Sequence, residues 1–202
     1  MSEPRETIQL PEPVSAGDRS LEELLQQRRS VRDYQDAALP LADISQLLWA
    51  AQGITHTSGL RTAPSAGALY PLELYVVAGN VAGLAAGVYH YRADGHRLTR
   101  VHGGDQRKPL AQAALAQTWV GDAAAVVVFA AVYDRTTCKY GQRGVRYVHM
   151  EVGHAAQNLF LQAEALGLAT VVVGAFRDDE VAGVLQLPAD VRPLALMPVG
   201  RL

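Results

Sequence analysis

Ten uninterrupted apolar residues, Ala123 to Val132, restrict the folds open to this chain more than any other feature. A run of that length suits a central strand covered on both faces, with a buried helix as the rival reading. Leu72 to Ala78 is a second apolar run with Tyr and Val. It follows a segment, Gly59 to Pro71, dense in Gly, Pro, Ser and Thr, and reads as another buried strand. Gly87 to Tyr91 and Arg97 to Val101 flank Asp94-Gly95, a pair favoured where a hairpin turn needs positive φ. Val171 to Gly174 and Leu194 to Val199 are the remaining expected strands.

Helical signals lie between these runs. Ser20 and Glu23 have capping-box spacing, and Leu21, Leu24 and Leu25 form a stripe that ends at Arg28, Arg29 and Arg32. Pro40 followed by Ile44, Leu47, Leu48 and Ala51 predicts a second helix that stops at Gly53. Further helices are expected around Leu110 to Gln117 and from Glu180 to Leu185. The longest should run from Arg146 to Leu166, with Tyr147, Met150, His154, Gln157, Leu161 and Ala165 near one face and Gly167 as its cap. The sum is an α+β domain over residues 20–202, preceded by an extended arm over residues 1–19.

A chain of 202 residues with 49% hydrophobic and 19% charged residues can bury a substantial single core. Its net charge of −2 offers no basic surface for nucleic acid. The first twenty residues hold acids and prolines but no apolar run, so neither a signal peptide nor a membrane anchor is expected. One cysteine, Cys138, rules out an internal disulfide and a multi-cysteine metal site, and cytoplasm is the expected location.

Several familiar motifs are missing. No G-x-G-x-x-G and no P-loop occurs, so neither a Rossmann dinucleotide site nor a phosphate loop is supported. His149 and His154 are five residues apart, roughly 140° around a helix, and cannot easily share a metal; His154 reads better as a core histidine. Neither Ser58 nor Ser65 has a nucleophile-elbow frame. No metal site is expected.

Two constellations remain. In Arg28-Arg29-Ser30-Val31-Arg32, three guanidiniums and a hydroxyl match a phosphate monoester, although a helix ending in basic residues also suits the helix dipole without any ligand. From Arg61 to Pro71 a loop of small residues between prolines would let backbone approach a flat ring, and would equally serve as an ordinary connection.

Four motifs, in order, resemble the nitroreductase superfamily: R-R-S-x-R at residues 28–32, P-S-A-G-A-L-Y-P at 64–71, K-Y-G-x-R-G-x-R-Y at 139–147, and V-G-A-F at 173–176 after a G-L pair. Their combination is most similar to its SagB-type branch, which includes azoline oxidases that tailor ribosomal peptides. The resemblance runs from about Ile8 to Arg201. It implies a nitroreductase-like fold, with a central mixed, mainly antiparallel sheet flanked by helices. It also implies a homodimer that holds FMN at the subunit interface.

On that resemblance Arg28, Arg29, Ser30 and Arg32 would grip the FMN phosphate and ribityl chain. Pro64, Ser65, Ala66, Gly67 and Leu69 would lie against the flavin, often from the partner chain. Val173, Gly174 and Ala175 would pass near the isoalloxazine, and Gly200 and Arg201 would add a second phosphate contact. Lys139 is the implied base and Tyr140 its partner, with burial and nearby Arg143 and Arg146 favouring a neutral amine. Cys138 reads as a packing residue.

The sequence departs from the family in places. Ala68 stands where many classical members carry Asn, and the chain ends at Leu202 without the long C-terminal arm of many relatives. The large additional N-terminal domain of peptide-tailoring oxidases is not expected here. The implied activity is an FMN-dependent oxidoreductase acting on a small or medium organic substrate, with NAD(P)H as a candidate donor. The alternatives are an azoline dehydrogenase and a flavin-binding accessory protein without turnover.

Overall fold

The computed structural model describes residues 6–202. The chain forms β1 (Thr7–Gln9), α1 (Leu21–Gln27), β2 (Leu39–Pro40), α2 (Leu41–Gln52), β3 (Leu72–Ala78), β4 (Val81–Ala82), β5 (Gly87–Arg92), β6 (Arg97–Gly103), α3 (Arg107–Ala113), α4 (Thr118–Asp122) and β7 (Ala125–Val132). It continues through α5 (Asp134–Tyr140), α6 (Arg143–Ala165), β8 (Leu168–Thr170), α7 (Asp178–Leu185) and β9 (Val191–Arg201). The long apolar run is therefore strand β7, an interior strand of a seven-stranded sheet ordered β1-β6-β5-β3-β7-β9-β8.

Alternation along β7 explains why every residue in it is apolar. Ala125, Val127, Phe129 and Ala131 join a core with α2 residues such as Leu47 and Leu48 and α6 residues such as Leu159 and Ala163. Val126, Val128 and Ala130 point the other way, into a second core with Leu110 of α3, Val120 of α4 and Val181 of α7. A helix here would leave no strand to bridge β3 and β9, both of which pair with β7. The sheet's pairings are all antiparallel, and a parallel contact occurs separately between β2 and β4.

Some boundaries differ from the sequence expectation. The expected helix over Leu110 to Gln117 ends at Ala113, because Leu115 and Ala116 both take left-handed backbone (φ 58°), which a right-handed helix cannot contain. The expected strand over Val171 to Gly174 is displaced. β8 pairs with β9 only through Leu168–Thr170, after which Val172 turns outward and Val173 returns for a single bridge to Leu196. In α6 the face buried in the core carries Gly144, Val148, Glu151, Ala155, Leu159 and Ala163, while Met150, His154 and Gln157 point outward. His154 is thus exposed, not a core histidine.

From Glu6 onward the N-terminal arm is extended and bound to the domain, and its first five residues lie outside the described residues. β1 pairs antiparallel with β6, and Leu10 is buried. Val14 N–H donates to Gln46 Oε1 at 2.8 Å, and Gln46 Nε2 donates back to Val14 O at 2.9 Å. Nearby, Ser45 Oγ donates to Pro11 O at 2.5 Å and lies 2.6 Å from His96 Nε2, whose other ring nitrogen meets Tyr91 Oη at 2.9 Å.

Burial lowers the His96 pKa below 6.5, against opposing effects of the Pro11 carbonyl and the Glu12 charge. Because the folded state prefers the neutral ring, protons bind the unfolded chain more readily. This contribution to stability is complete above pH 6.5 and is lost as pH falls from there toward the folded-state value. His96→Asn keeps a residue that accepts the left-handed turn (φ 45°) and removes the titration. It is expected to flatten the pH dependence of urea midpoints between about pH 5 and 7. An unchanged slope would reassign the titration elsewhere.

Candidate active site

Two groups of the residues singled out in the sequence are assembled by separate parts of the fold. The first lies where the 28–35 segment crosses the end of the sheet. Val31 N–H donates to Thr170 O at 3.0 Å and Gln35 N–H to Arg201 O at 3.0 Å. These bonds bring the backbone of Arg28, Arg29, Ser30 and Arg32 beside β8 and the end of β9, where Gly200 sits against the Tyr34 ring. Burial raises the Tyr34 pKa, so its phenol stays protonated.

The guanidiniums have different neighbours within the chain. Arg28 stacks 4.9 Å from the Phe160 ring centroid, and Arg32 lies 5.7 Å from that of Trp119. Arg29 donates to the carbonyls of Gln26 and Arg28, while Arg201 is 3.9 Å from Asp43. Burial raises the Asp43 pKa and the charge of Arg201 opposes this. Among the described residues, none of Arg28, Arg29 and Arg32 has an ion pair with a carboxylate. Ser30 is exposed at the same corner.

Val173 is fixed to β9 by two hydrogen bonds with Leu196, at 2.8 and 2.9 Å. Gly174 and Ala175 then run exposed beyond it. A Cβ added at Gly174 would meet nothing within 4 Å, and the Ala175 carbonyl is held by Gln117 Nε2 at 2.8 Å. This stretch of backbone is open on one side.

The second group is the small-residue loop with α5. Thr62 N–H donates to Gly53 O at 2.9 Å and Thr62 Oγ1 to Trp49 O at 3.0 Å, anchoring one end of the loop to α2. The other end is closed by Tyr70, whose N–H donates to Ser65 Oγ at 2.9 Å and whose hydroxyl accepts from Arg61 N–H at 3.2 Å. Gly67, Ala68 and Tyr70 all have positive φ, so the tip between Pro64 and Leu69 is a tight, strained turn. A side chain at Gly67 would begin 2.8 Å from Tyr140 Oη and 3.1 Å from Lys139 Nζ. The loop and the Lys139-Tyr140 pair therefore meet at Gly67.

Lys139 Nζ lies 5.4 Å from the Tyr140 ring centroid, and that ring packs edge-on against Tyr147 at 5.2 Å. Lys139 is exposed in the single chain, so the burial expected of it is absent here. Arg143 and Arg146 are also exposed, and Cys138 is a free, exposed thiol.

Sequence reasoning missed the polar layer beneath this loop. Glu151 of α6 is 2% exposed, facing the core from a helix whose other inward residues are small or apolar. Burial raises its pKa, and nearby Ser65, Arg61 and Gln52 act in the opposite direction. An acid at the inward phase of α6 was the available signal. Beside it, Arg61 Nη1 donates to Gln52 Oε1 at 2.9 Å, and its guanidinium lies 4.5 Å from the Tyr70 ring centroid. Glu73 pairs with both His90 and Arg135. Burial alone would raise the Glu73 pKa, but these two partners outweigh it and hold the carboxyl below its ordinary value.

Among the described residues no helix is long and apolar enough to cross a membrane. Comparison with known proteins places the architecture. The chain is 48% identical over 194 residues to the Methanocaldococcus jannaschii protein MJ1384, which carries a nitroreductase designation, and the match covers 96% of each. It is 29% identical over 143 residues to the microcin B17-processing protein of Escherichia coli, covering 63% of this chain and 48% of that one. Among solved structures, a nitroreductase-designated protein from Ralstonia eutropha superposes with a TM-score of 0.84 at 30% identity, covering 96% of this chain and 89% of that one. A chain of the Escherichia coli microcin synthetase complex with truncated pro-microcin superposes at 0.74 with 26% identity, covering 99% and 79%. The nitroreductase family model matches residues 25–201, from α1 to the last residue of β9. With that span taking in every motif gathered above, the chain belongs to the nitroreductase family.

Proposed function

We propose that this protein is an FMN-dependent oxidoreductase that works as a homodimer on a small or medium organic substrate, with NAD(P)H as the candidate electron donor. The observation that carries the reading is the meeting of Lys139 and Tyr140 with the backbone of Gly67. A titratable pair facing a close-approach loop is suited to work on a molecule lying over that loop.

The residues fit the cofactor. Among the described residues Arg28, Arg29 and Arg32 hold no carboxylate, so apart from the Arg29 Nη1 bonds to the Gln26 and Arg28 carbonyls their donors are available to a phosphate, with Ser30 exposed in the same segment and the Arg201 backbone bonded to Gln35 close by. Gly174 offers open backbone to one edge of a flat ring. Pro64, Ser65, Ala66, Gly67 and Leu69 supply a small-residue surface that, in a twofold dimer, a second copy can contribute. Exposed apolar side chains support such a dimer: Leu21 and Leu25 of α1 are 56% and 53% exposed, and Met150 of α6 is 55% exposed.

When bound, the flavin supplies hydride transfer, which no amino-acid side chain can provide. The chain supplies binding, orientation and proton handling. For a substrate oxidised by loss of hydride and proton from adjacent atoms, Lys139 Nζ takes the proton, and Tyr140 Oη lies beside it to orient the amine. Dehydrogenation of azoline rings in a peptide is the second reading. It is favoured by this same pair and by the likeness to the microcin B17-processing protein.

The purified protein is expected to be yellow and to bleach on anaerobic addition of NADH or NADPH. A yellow protein that bleaches only with an azoline substrate moves the assignment to the second reading, and a colourless protein that cannot be loaded with FMN overturns both. Arg28→Ala is expected to weaken FMN retention about tenfold or more, the effect of removing one charge-assisted contact. Equilibrium dialysis measures it, and an unchanged dissociation constant removes Arg28 from the phosphate site.

A further inference from the structure

Behind the 61–70 loop lies a polar cavity of about 190 Å³, lined by Gln52, Arg61, Glu73, Tyr91, Arg92 and Arg135 among others. Its charges are nearly all matched. Glu73 is paired with His90 and Arg135, and Arg92 lies 3.3 Å from Asp94. Arg61 is the exception: among the described residues no carboxylate comes within ion-pair distance of it, and Glu73 and Glu151 act on it only from farther away.

Two donors on this wall lack an acceptor. Arg61 Nε and Gln52 Nε2 are both buried with no acceptor at hydrogen-bond distance, and Gln52 is only 1% exposed; Glu151 Oε1, in the same layer, is also buried without a donor at that distance, and burial raises the Glu151 pKa toward the neutral acid. A buried donor without an acceptor has lost its water and gained nothing in return, the more so when it is charged, so the wall favours an incoming acceptor. The space holds roughly six waters at about 30 Å³ each, enough for a carboxylate group.

We propose that this cavity is a receptor for a monoanionic carboxylate borne by the substrate, held by Arg61 and Gln52 with Arg135 at its edge. The charge count selects the anion. One guanidinium outside any ion pair, offset only in part by the more distant Glu151 and Glu73, matches at most one negative charge, whereas a phosphate dianion would meet Glu73 and Asp94 in the same walls with no second free cation. Position ties the cavity to the chemistry. Arg135 and Lys139 are four residues apart on α5 and so share a face, about one helical turn from each other. A molecule anchored through its carboxylate near Arg135 would extend its other end toward Lys139. The substrate class is therefore a carboxylic acid with its oxidisable carbon a few bonds away. This link to the substrate rests on the proposed oxidoreductase function, while the anion site itself does not.

Isotope-labelled acetate, followed by NMR line broadening at constant ionic strength, is the direct probe, with acetamide and inorganic phosphate as comparisons. Saturable acetate binding is expected, with acetamide and phosphate at least about tenfold weaker. Arg61→Met should weaken acetate about tenfold or more. Arg135→Met, at a half-exposed position less central to folding, should weaken it by a smaller factor because Glu73 then keeps only His90 as a partner. Acetate that does not bind, or binds equally well to a folded Arg61→Met or Arg135→Met protein, leaves a merely hydrated cavity and overturns the proposal. Phosphate binding tighter than acetate overturns it as well.

The two ideas can fail separately. Arg61-dependent acetate binding in a protein that takes up no flavin keeps the anion site and removes the oxidoreductase. Flavin uptake with no acetate binding does the reverse. In the flavin-loaded enzyme, a carboxylic acid substrate should have a KM about tenfold below that of its methyl ester, and this difference should vanish in Arg61→Met.

Discussion

Lys139→Met is expected to retain FMN and fold normally while losing about 10²–10⁴-fold in the rate at which an oxidisable substrate bleaches the flavin. The side chain is exposed and stands in no ion pair among the described residues, so folding has little to lose with it. Methionine preserves an unbranched stem beside Tyr140 and removes only the titratable nitrogen. The two half-reactions respond differently. Oxidation of a substrate that releases a carbon-bound proton needs a base, whereas NADH gives up hydride without losing a proton from carbon. Stopped-flow bleaching should therefore slow sharply with the substrate and hardly change with NADH. Equal slowing of both would make Lys139 a packing or binding residue, and no slowing of either would remove it from the chemistry.

Much of the fold was legible because apolar patterning reports burial directly. β7 was readable as a strand from an unbroken apolar run, β3 from a run interrupted only at Glu73, and the β5–β6 hairpin from Asp94-Gly95, where Gly95 has φ 78°. Ser20 was readable as a cap, and its Oγ accepts from Glu23 N–H at 3.2 Å. The direction a helix faces was harder. α6 has apolar or small residues on both sides, and Tyr147, Met150 and Leu161 make as good a stripe as Val148, Ala155 and Leu159, so periodicity located the helix without choosing its buried face. The end of α3 depended on two left-handed residues, Leu115 and Ala116, of types with no preference for that conformation.

The candidate site divides in the same way. Arg28 to Arg32 and Pro64 to Leu69 are contiguous segments whose residue types suit a phosphate and a flat ring, although each also has an ordinary reading without a ligand. Their grouping with β8, β9 and α5 could be anticipated only through family resemblance. The carboxylate cavity draws Gln52, Arg61, Glu73 and Arg135 from α2, a loop, β3 and α5. Each has an ordinary reading in its own segment. What distinguishes them is which charges remain unmatched after folding, and that property belongs to the three-dimensional arrangement.

Gly67→Val is expected to cost about 10²-fold in turnover with only a modest loss of stability, and Gly59→Val separates these effects. Both glycines have left-handed backbone, at φ 65° and 83°. A branched residue at either pays about 1–2 kcal/mol in backbone strain, equivalent to a Tm loss of about 2–8 °C in a domain of this size. Only at Gly67 does the new side chain meet functional groups, with Tyr140 Oη and Lys139 Nζ at 2.8 and 3.1 Å from its Cβ, whereas nothing lies within 4 Å at Gly59. The obstructing atoms are the ends of side chains, so the fold can relax by swinging the amine and phenol away. Such relief misplaces the proposed base, and a displacement near 1 Å can cost about 10²-fold in rate. Matching melting temperatures with activity lost only in Gly67→Val would locate the chemistry at the loop tip. Equal activity in the two variants would mean that Lys139 and Tyr140 meet their substrate elsewhere.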